Sequence, residues 1–177
     1  MNIRPARLSD ADEIAHVHVE SWQSTYKGII AKDYLADLSE KRRADRWREN
    51  LSDHNQKSCI FVLEDANEQI IGVASGGPQR DPQLDYASEL YAIYLLETVQ
   101  GRGLGSRLMN AIANRLAMSG FKSMLVWVLE DNPSRYFYEA LGGQYVTKKT
   151  IAIGEQELIE VAYGWPNLNT LIESNVR

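Results

Sequence analysis

Between Glu89 and Ser106 the chain reads Glu-Leu-Tyr-Ala-Ile-Tyr-Leu-Leu-Glu-Thr-Val-Gln-Gly-Arg-Gly-Leu-Gly-Ser, an apolar, strand-like run that empties into three closely spaced glycines, Gly101, Gly103 and Gly105. Glycine has no Cβ, so the backbone N–H groups of such a loop can close on a bulky anion. Leu104–Met118 follows at once with helical periodicity, and a helix N-terminus adds free N–H donors and a partial positive charge. Arg102 and Arg107 add cationic side chains. Strand, glycine loop and helix together describe a cradle for a pyrophosphate. A P-loop is excluded, because Gly105 is followed by Ser106-Arg107 rather than by Lys and Ser/Thr. A dinucleotide fingerprint fits poorly: Ser106 stands where Gly or Ala is needed, and the nearest acidic residue, Glu130, lies beyond the next strand core. The plain alternative is a glycine-rich turn with no ligand, which would leave three glycines loosening a helix start without compensation.

A second set of candidate groups lies downstream, in Trp127-Val-Leu-Glu-Asp-Asn132-Pro-Ser-Arg-Tyr-Phe-Tyr138-Glu-Ala-Leu-Gly142. Gln100-Gly-Arg-Gly-Leu-Gly105 resembles the Gln/Arg-x-x-Gly-x-Gly/Ala motif of the GNAT N-acetyltransferase superfamily. The downstream stretch resembles that family's strand ending near an Asn, followed by a helix that carries Phe-Tyr and stops at Leu-Gly. The spacing of the two motifs and the element order along nearly the whole chain agree with the family. Two departures stand out: the Asn–Tyr spacing is one residue shorter than in many members, and Thr98-Val99 occupies a place where Pro is common.

The resemblance implies a mixed α/β (α+β) fold, a largely antiparallel twisted sheet with a splayed parallel strand pair, flanked by helices. It implies that acetyl-CoA lies in a V-shaped gap between Glu89–Leu96 and Ser123–Leu129. The backbone of Ile93, Tyr94 and Leu95 would pair with the pantetheine arm as an added strand does. Gln100, Gly101, Arg102, Gly103, Leu104, Gly105 and Ser106 would hold the pyrophosphate, chiefly through backbone amides, and Asn132 would bond the pantetheine region. Asn132 could equally cap the helix that Pro133 opens. The implied reaction is transfer of acetyl to a primary amine of a small molecule, peptide or protein, by direct attack in a ternary complex.

An amine of ordinary pKa, near 10.4, must first lose a proton to attack. Glu89 is the candidate base, acting through water, with a solvated strand-edge Glu as its plain reading. The amide of Ile93 or Leu95 is the candidate oxyanion donor. Tyr138 matches the family tyrosine near the CoA sulfur and is the candidate acid for the leaving thiolate; it can also pack beside Phe137. Tyr91, two residues from Glu89, shares its facing by strand period and is a candidate wall of the acceptor pocket. Trp22 and Tyr26 stand where the family roofs the acceptor site, Trp22 on the apolar stripe of the first helix and Tyr26 as the better wall.

Around these residues the pattern predicts a strand at Asn2–Leu8 and a helix capped by Ser9 that runs to about Trp22. A short helix is expected at Lys32–Leu38, and another capped by Ser39 with Ala44, Trp47 and Leu51 on one face. A hairpin follows, Cys59–Glu64 with Ile70–Ser75, ended by Gly76-Gly77-Pro78. Leu104, Leu108, Ala111, Ile112 and Leu116 form the buried side of the helix closed by Gly120. Ser123–Leu129 is apolar enough for burial on both faces. A helix from Pro133 is stopped by Gly142-Gly143, and Gln144–Ile153 pairs with Gln156–Gly164 around Gly154.

Residues 1–166 read as one domain and 167–177 as a polar, peripheral tail. The 177 residues carry a net charge of −5, which argues against a nucleic-acid partner. No apolar run approaches membrane-spanning length, and the N-terminus lacks a signal-like stretch, so no membrane partner and a cytoplasmic address are expected. The single Cys59 reads as a core thiol. His16, His18 and His54 lack Cys or acidic neighbours at metal spacing, so no metal is expected, and His18 reads as a satisfied core histidine. Lys41-Arg42-Arg43 reads as a solvated helix face. Dimers are frequent in the family, which makes a homodimer an expectation. A non-catalytic acyl-CoA sensor is the alternative function, and an NAD(P) oxidoreductase a third.

Overall fold

Six consecutive apolar residues, Met124–Leu129, form strand β5, and all but Trp127 are buried. Such a strand needs cover on both faces, and its two neighbours supply the surrounding sheet. The computed structural model describes residues 1–53 and 57–174, so His54 lies outside the described residues. The elements are β1 (Asn2–Pro5), α1 (Ala11–Thr25), α2 (Lys32–Ala36), α3 (Glu40–Ser52), β2 (Cys59–Glu64), β3 (Ile70–Pro78), β4 (Ser88–Leu95), α4 (Leu104–Met118), β5, α5 (Arg135–Ala140), β6 (Gln144–Ile153), β7 (Gln156–Trp165) and α6 (Leu168–Ser174).

The seven strands form one sheet in the order β1-β2-β3-β4-β5-β7-β6. Every pairing is antiparallel except β4 with β5. The sheet divides the core, and the extra residue Ile71 in β3, opposite the Leu63–Glu64 step of β2, shifts the alternation by one. Leu63, Ile71 and Ala74 join the apolar side of α4 and α6, whereas Val62, Ile70 and Val73 join α1 and α3. Helix α4 matches its expected span, burying Leu104, Leu108, Ile112 and Leu116 together with Met109 and Ala113, while Ala111 is only half-buried. Among the described residues no helix is long and apolar enough to cross a membrane.

Several expectations are corrected. Ser9 does not cap α1. A short 3-10 turn, Leu8–Asp10, precedes the helix, and the Asp10 carboxylate accepts from the Arg7 amide at 2.7 Å while pairing with Arg4. Strand β3 does not end at Ser75: Gly76, Gly77 and Pro78 continue it, past a register shift opposite β4. A Cβ on Gly76 would lie 3.0 Å from the Glu89 carbonyl, so the absent side chain is what lets β4 approach. Helix α5 starts at Arg135 rather than at Pro133, because Asn132 and Pro133 are spent on a turn in which Asn132 Oδ1 accepts from the Ser134 amide at 2.9 Å. The segment after Pro166 is not peripheral: Leu168 and Leu171, 1% and 0% exposed, join the α4 core. Cys59 is only half-buried.

Candidate active site

Strands β4 and β5 pair over three rungs only, Ser88–Met124, Glu89–Leu125 and Leu90–Val126. Beyond Leu90 the two strands part, and a cavity of about 430 Å³ opens between them. Its walls include Tyr91–Leu95 from β4, Val126–Val128 from β5, and Gln100, Gly101, Gly103, Gly105 and Ser106 from the glycine loop. The roof comes from Ser21, Thr25 and Tyr26 of α1 and its end, and the far side from Asn132, Ser134, Phe137 and Tyr138.

The glycine loop has the local geometry that an anion cradle requires. Gly101 and Gly103 have φ of +71° and +73°, left-handed backbone that costs a residue with a Cβ about 1–2 kcal/mol. A Cβ at either would meet open space, so conformation rather than crowding selects glycine there. Gly105 differs: its Cβ would lie 3.3 Å from Phe137 Cζ, which makes it a packing glycine. The first bond into α4 from this loop is Arg107 N–H to Gly103 C=O at 3.3 Å. Among the described residues, the amides of Gly101 through Ser106 find no protein acceptor. Six consecutive free donors beside a cavity, at the start of a helix, are an arrangement that can receive the oxygens of an anion such as a phosphate. The Gln100 side chain donates to the Leu95 carbonyl at 3.0 Å, tying the loop back to the end of β4.

Tyr138 is 6% exposed and packs at ring-centroid distances of 5.3 Å from Phe137 and 6.4 Å from Trp165, yet its side chain also borders the cavity. Among the described residues its hydroxyl has no hydrogen-bond partner. Burial pushes its pKa up, and the neighbouring Tyr94 adds to the shift, so the phenol holds its proton at neutral pH and presents it as a donor. Tyr26 is raised in the same way, by burial first.

Glu89 is not a solvated edge residue. It is 2% exposed and faces an adjoining cleft of about 540 Å³ that also holds Tyr91, Trp127, Arg80, Lys149 and Glu160. Tyr91 and Trp127 border both spaces, so the cleft meets the cavity between β4 and β5 at the strand divergence. Tyr91 shares the cleft with Glu89, and its hydroxyl donates to the Pro78 carbonyl at 2.6 Å. Burial raises the Glu160 pKa, Lys149 and Arg80 opposing the shift. Arg80, Glu160, Lys149 and Trp127 escaped the sequence reading. Arg80 sits in an irregular loop with no periodic signal, and Glu160 is one polar residue in an alternating strand.

Of the remaining candidates, Trp22 does not border the cavity between β4 and β5. It stands behind Tyr26, edge-on at 4.9 Å. Leu104 turns its side chain into the core at 5% exposure and offers the site only its amide, and Arg102 is exposed. The roof is held by Gln156 on β7, which accepts from the Ala31 amide and donates to the Ile29 carbonyl, both at 3.0 Å. His16 does have acidic partners: with Glu20 and Glu40 it brings three ligand-type atoms within 4.8 Å on the exposed surface. Cys59 carries a thiol that burial pushes up to about 11, the opposite of an activated nucleophile.

Comparison with known proteins agrees with this architecture. The family model described as FR47-like protein matches residues 83–152. The uncharacterised N-acetyltransferase YuaI of Bacillus subtilis (strain 168) is 42% identical over 171 residues, covering 97% of this chain and 96% of that protein. Among solved structures, PaiA N-acetyltransferase from Thermoplasma acidophilum in complex with coenzyme A superposes with a TM-score of 0.63 at 18% identity, over 90% of this chain and 96% of that one. YncA from Salmonella typhimurium, with its cofactor acetyl-CoA, gives a TM-score of 0.70 at 19% identity, over 95% and 94% of the respective chains. With the splayed strands, the glycine loop and a relative this similar along nearly its whole length, the chain belongs to the GNAT superfamily of N-acetyltransferases.

Proposed function

We propose that this protein transfers the acetyl group of acetyl-CoA to a primary amine, by direct attack in a ternary complex. The observation that carries this reading is the run of free amides from Gly101 to Ser106 at the mouth of the gap where β4 leaves β5. A diphosphate fits those donors, and an extended pantetheine arm fits the β4 edge that β5 abandons after Leu90, where Ile93, Tyr94 and Leu95 offer backbone groups as to an added strand. Acetyl-CoA supplies an activated thioester.

The chain's own residues supply the rest. An amide of Ile93 or Leu95 serves as the donor to the tetrahedral oxyanion. Tyr138, kept protonated by burial, hands a proton to the leaving sulfur and recovers one from the nitrogen of the collapsing tetrahedral intermediate. Glu89, in the cleft that meets the cavity, takes the proton of the incoming ammonium through water. Asn132, Tyr26 and Tyr91 orient the two substrates. The test is thiol release from acetyl-CoA across a panel of amines beside a direct acetyl-CoA titration. Turnover with any amine supports transfer; tight binding with no turnover on the panel supports a sensor instead.

A further inference from the structure

On the α1–α3 side of the sheet lies a cavity of about 410 Å³ that shares Tyr91, Ala92 and Tyr94 with the acyl cavity. Its wall carries Arg43, Arg46 and Arg80 against one carboxylate, Asp53. In a chain of net charge −5 this is a local reversal of sign. Arg80 is committed to Glu89. Arg43 and Arg46 have no ion-pair partner among the described residues; Arg43 lies over the Trp22 ring at 5.4 Å.

His18 also lines this cavity and is 7% exposed. Its Nδ1 lies 3.2 Å from Trp47 Nε1. An indole nitrogen only donates, so Nδ1 is the bare nitrogen and the proton is on Nε2. That Nε2–H is buried and has no acceptor among the described residues. Buried donors are nearly always satisfied, by protein, water or ligand. Burial, aided by the Arg43 charge, pushes the His18 pKa down to about 3, so at neutral pH the ring is an uncharged donor in a wall that also carries Arg43 and Arg46, rather than a third cation. Two free guanidinium groups and one orphaned N–H make a receptor for an oxyanion.

We infer that this cavity binds the anionic group of the acceptor, and that the acceptor class is amines bearing a carboxylate or phospho oxyanion rather than simple alkylamines or polyamines. The inference rests on the acetyltransferase reading above. Arg80 borders both this cavity and the Glu89 cleft, so an acceptor anchored by its anion on Arg43, Arg46 and His18 directs its amine along Arg80 toward Glu89.

The experiment compares each of a series of α- and ω-amino acids and aminoalkylphosphonates with its own amide or neutral ester. In parallel, inorganic sulfate is titrated against protein carrying isotope-labelled histidine, following the His18 Nε2–H resonance. The acids are expected to be acetylated with the higher kcat/KM. Arg43→Gln and Arg46→Gln should each raise the KM for the acids roughly tenfold to a hundredfold, the loss of one charge-assisted contact, with the acetyl-CoA titration midpoint unmoved. Arg48→Gln, a charge control on α3 whose side chain pairs with Asp12 and Asp45, should leave that KM alone. Sulfate should shift the His18 resonance saturably, and less in the two variants. Equal or better use of the neutral partners, or arginine variants with wild-type KM, would overturn the inference while leaving the acetyltransferase reading intact. Absence of turnover with every amine would overturn both, whatever sulfate does.

Discussion

Arg80 and Glu89 grip one another across the start of β4. The Arg80 amide donates to Glu89 Oε2 at 3.2 Å, its Nε lies 3.2 and 3.1 Å from the two carboxylate oxygens, and Nη2 makes the closest approach of all. The pair is lopsided: the Glu89 side chain is 3% exposed and that of Arg80 63%. The guanidinium also lies over the Tyr91 ring at 4.5 Å. A carboxylate so deeply desolvated needs a cation beside it, and here that cation comes from solvent's side, on a loop. On the proposed reading, an incoming ammonium would meet a carboxylate that already has a partner, and would have to share or displace it.

Glu89→Gln should therefore lower kcat by roughly 10²- to 10⁴-fold, the usual worth of a positioned proton acceptor, with the acetyl-CoA dissociation constant unchanged. Arg80→Gln should act on stability. Leaving the buried carboxylate without its partner costs about 1–3 kcal/mol, less than for a fully buried pair because Arg80 itself is solvated. The double variant should recover most of that loss in a thermal melt. A double variant no more stable than Arg80→Gln alone would show that the pair is not coupled.

Gly103→Ala should weaken acetyl-CoA binding and reduce stability by about 1–2 kcal/mol, because a residue with a Cβ is strained in left-handed backbone. The melting-temperature rise produced by acetyl-CoA reports the first effect by linkage. Gly105→Ala should instead disturb packing against Phe137, with a smaller change in that ligand-induced rise. A Gly103→Ala protein with the full wild-type rise would remove the loop from the binding site.

Much of this architecture was legible in the chain because local signals and tertiary needs coincide. Leu104–Met118 shows helical periodicity and buries the stripe that this period predicts. Ser39 caps α3 as read, its hydroxyl accepting from the Arg42 amide at 3.2 Å. The glycine loop announced itself because left-handed backbone tolerates few other residues. What stayed hidden depends on contacts distant in sequence. Asp10 displaced Ser9 as the organiser of the first turn because Arg4, on β1, could reach it at 2.6 Å. Leu168 and Leu171 looked like part of a polar tail until α4 supplied an apolar partner. Arg80 has no pattern of its own; its meaning comes only from the fold of β3 back onto β4, nine residues from Glu89.

Tyr138→Phe should reduce kcat with little change in acetyl-CoA affinity; equal loss of both would assign the ring to packing alone. Tyr26, Tyr94 and Tyr138 all have their pKa raised, chiefly by burial. Unfolded tyrosines ionise near pH 10. Above that pH the unfolded chain releases protons that the folded chain keeps, so stability is intact below about pH 10 and falls as pH rises further. Denaturant unfolding at pH 8 and pH 11, read with the Tyr138→Phe variant, should show a steeper alkaline loss in the wild type.

At the acid end the responsible group is His18. Its pKa is about 3 when folded, against an ordinary value of 6.5. Between those values the unfolded chain binds a proton that the folded one refuses, so stability is present above pH 6.5 and is lost as pH falls toward 3. At pH 5 the loss should be about 2 kcal/mol, 1.36 kcal/mol for each pH unit below the unfolded pKa. Asp10, whose pKa is lowered by Arg4 and the Arg7 amide against the opposing effect of burial, acts only below the ordinary carboxylate range. Glu160, raised by burial, works in the opposite direction, because the folded state takes up its proton first. The clean measurement is therefore the difference between wild type and His18→Gln in denaturant unfolding at pH 7 and pH 5. Gln keeps an acceptor for Trp47 but cannot titrate, so the variant should lose less stability between the two pH values. Identical losses would mean that the imidazole is not held neutral, and would take with them the assignment of Nε2–H as a free neutral donor.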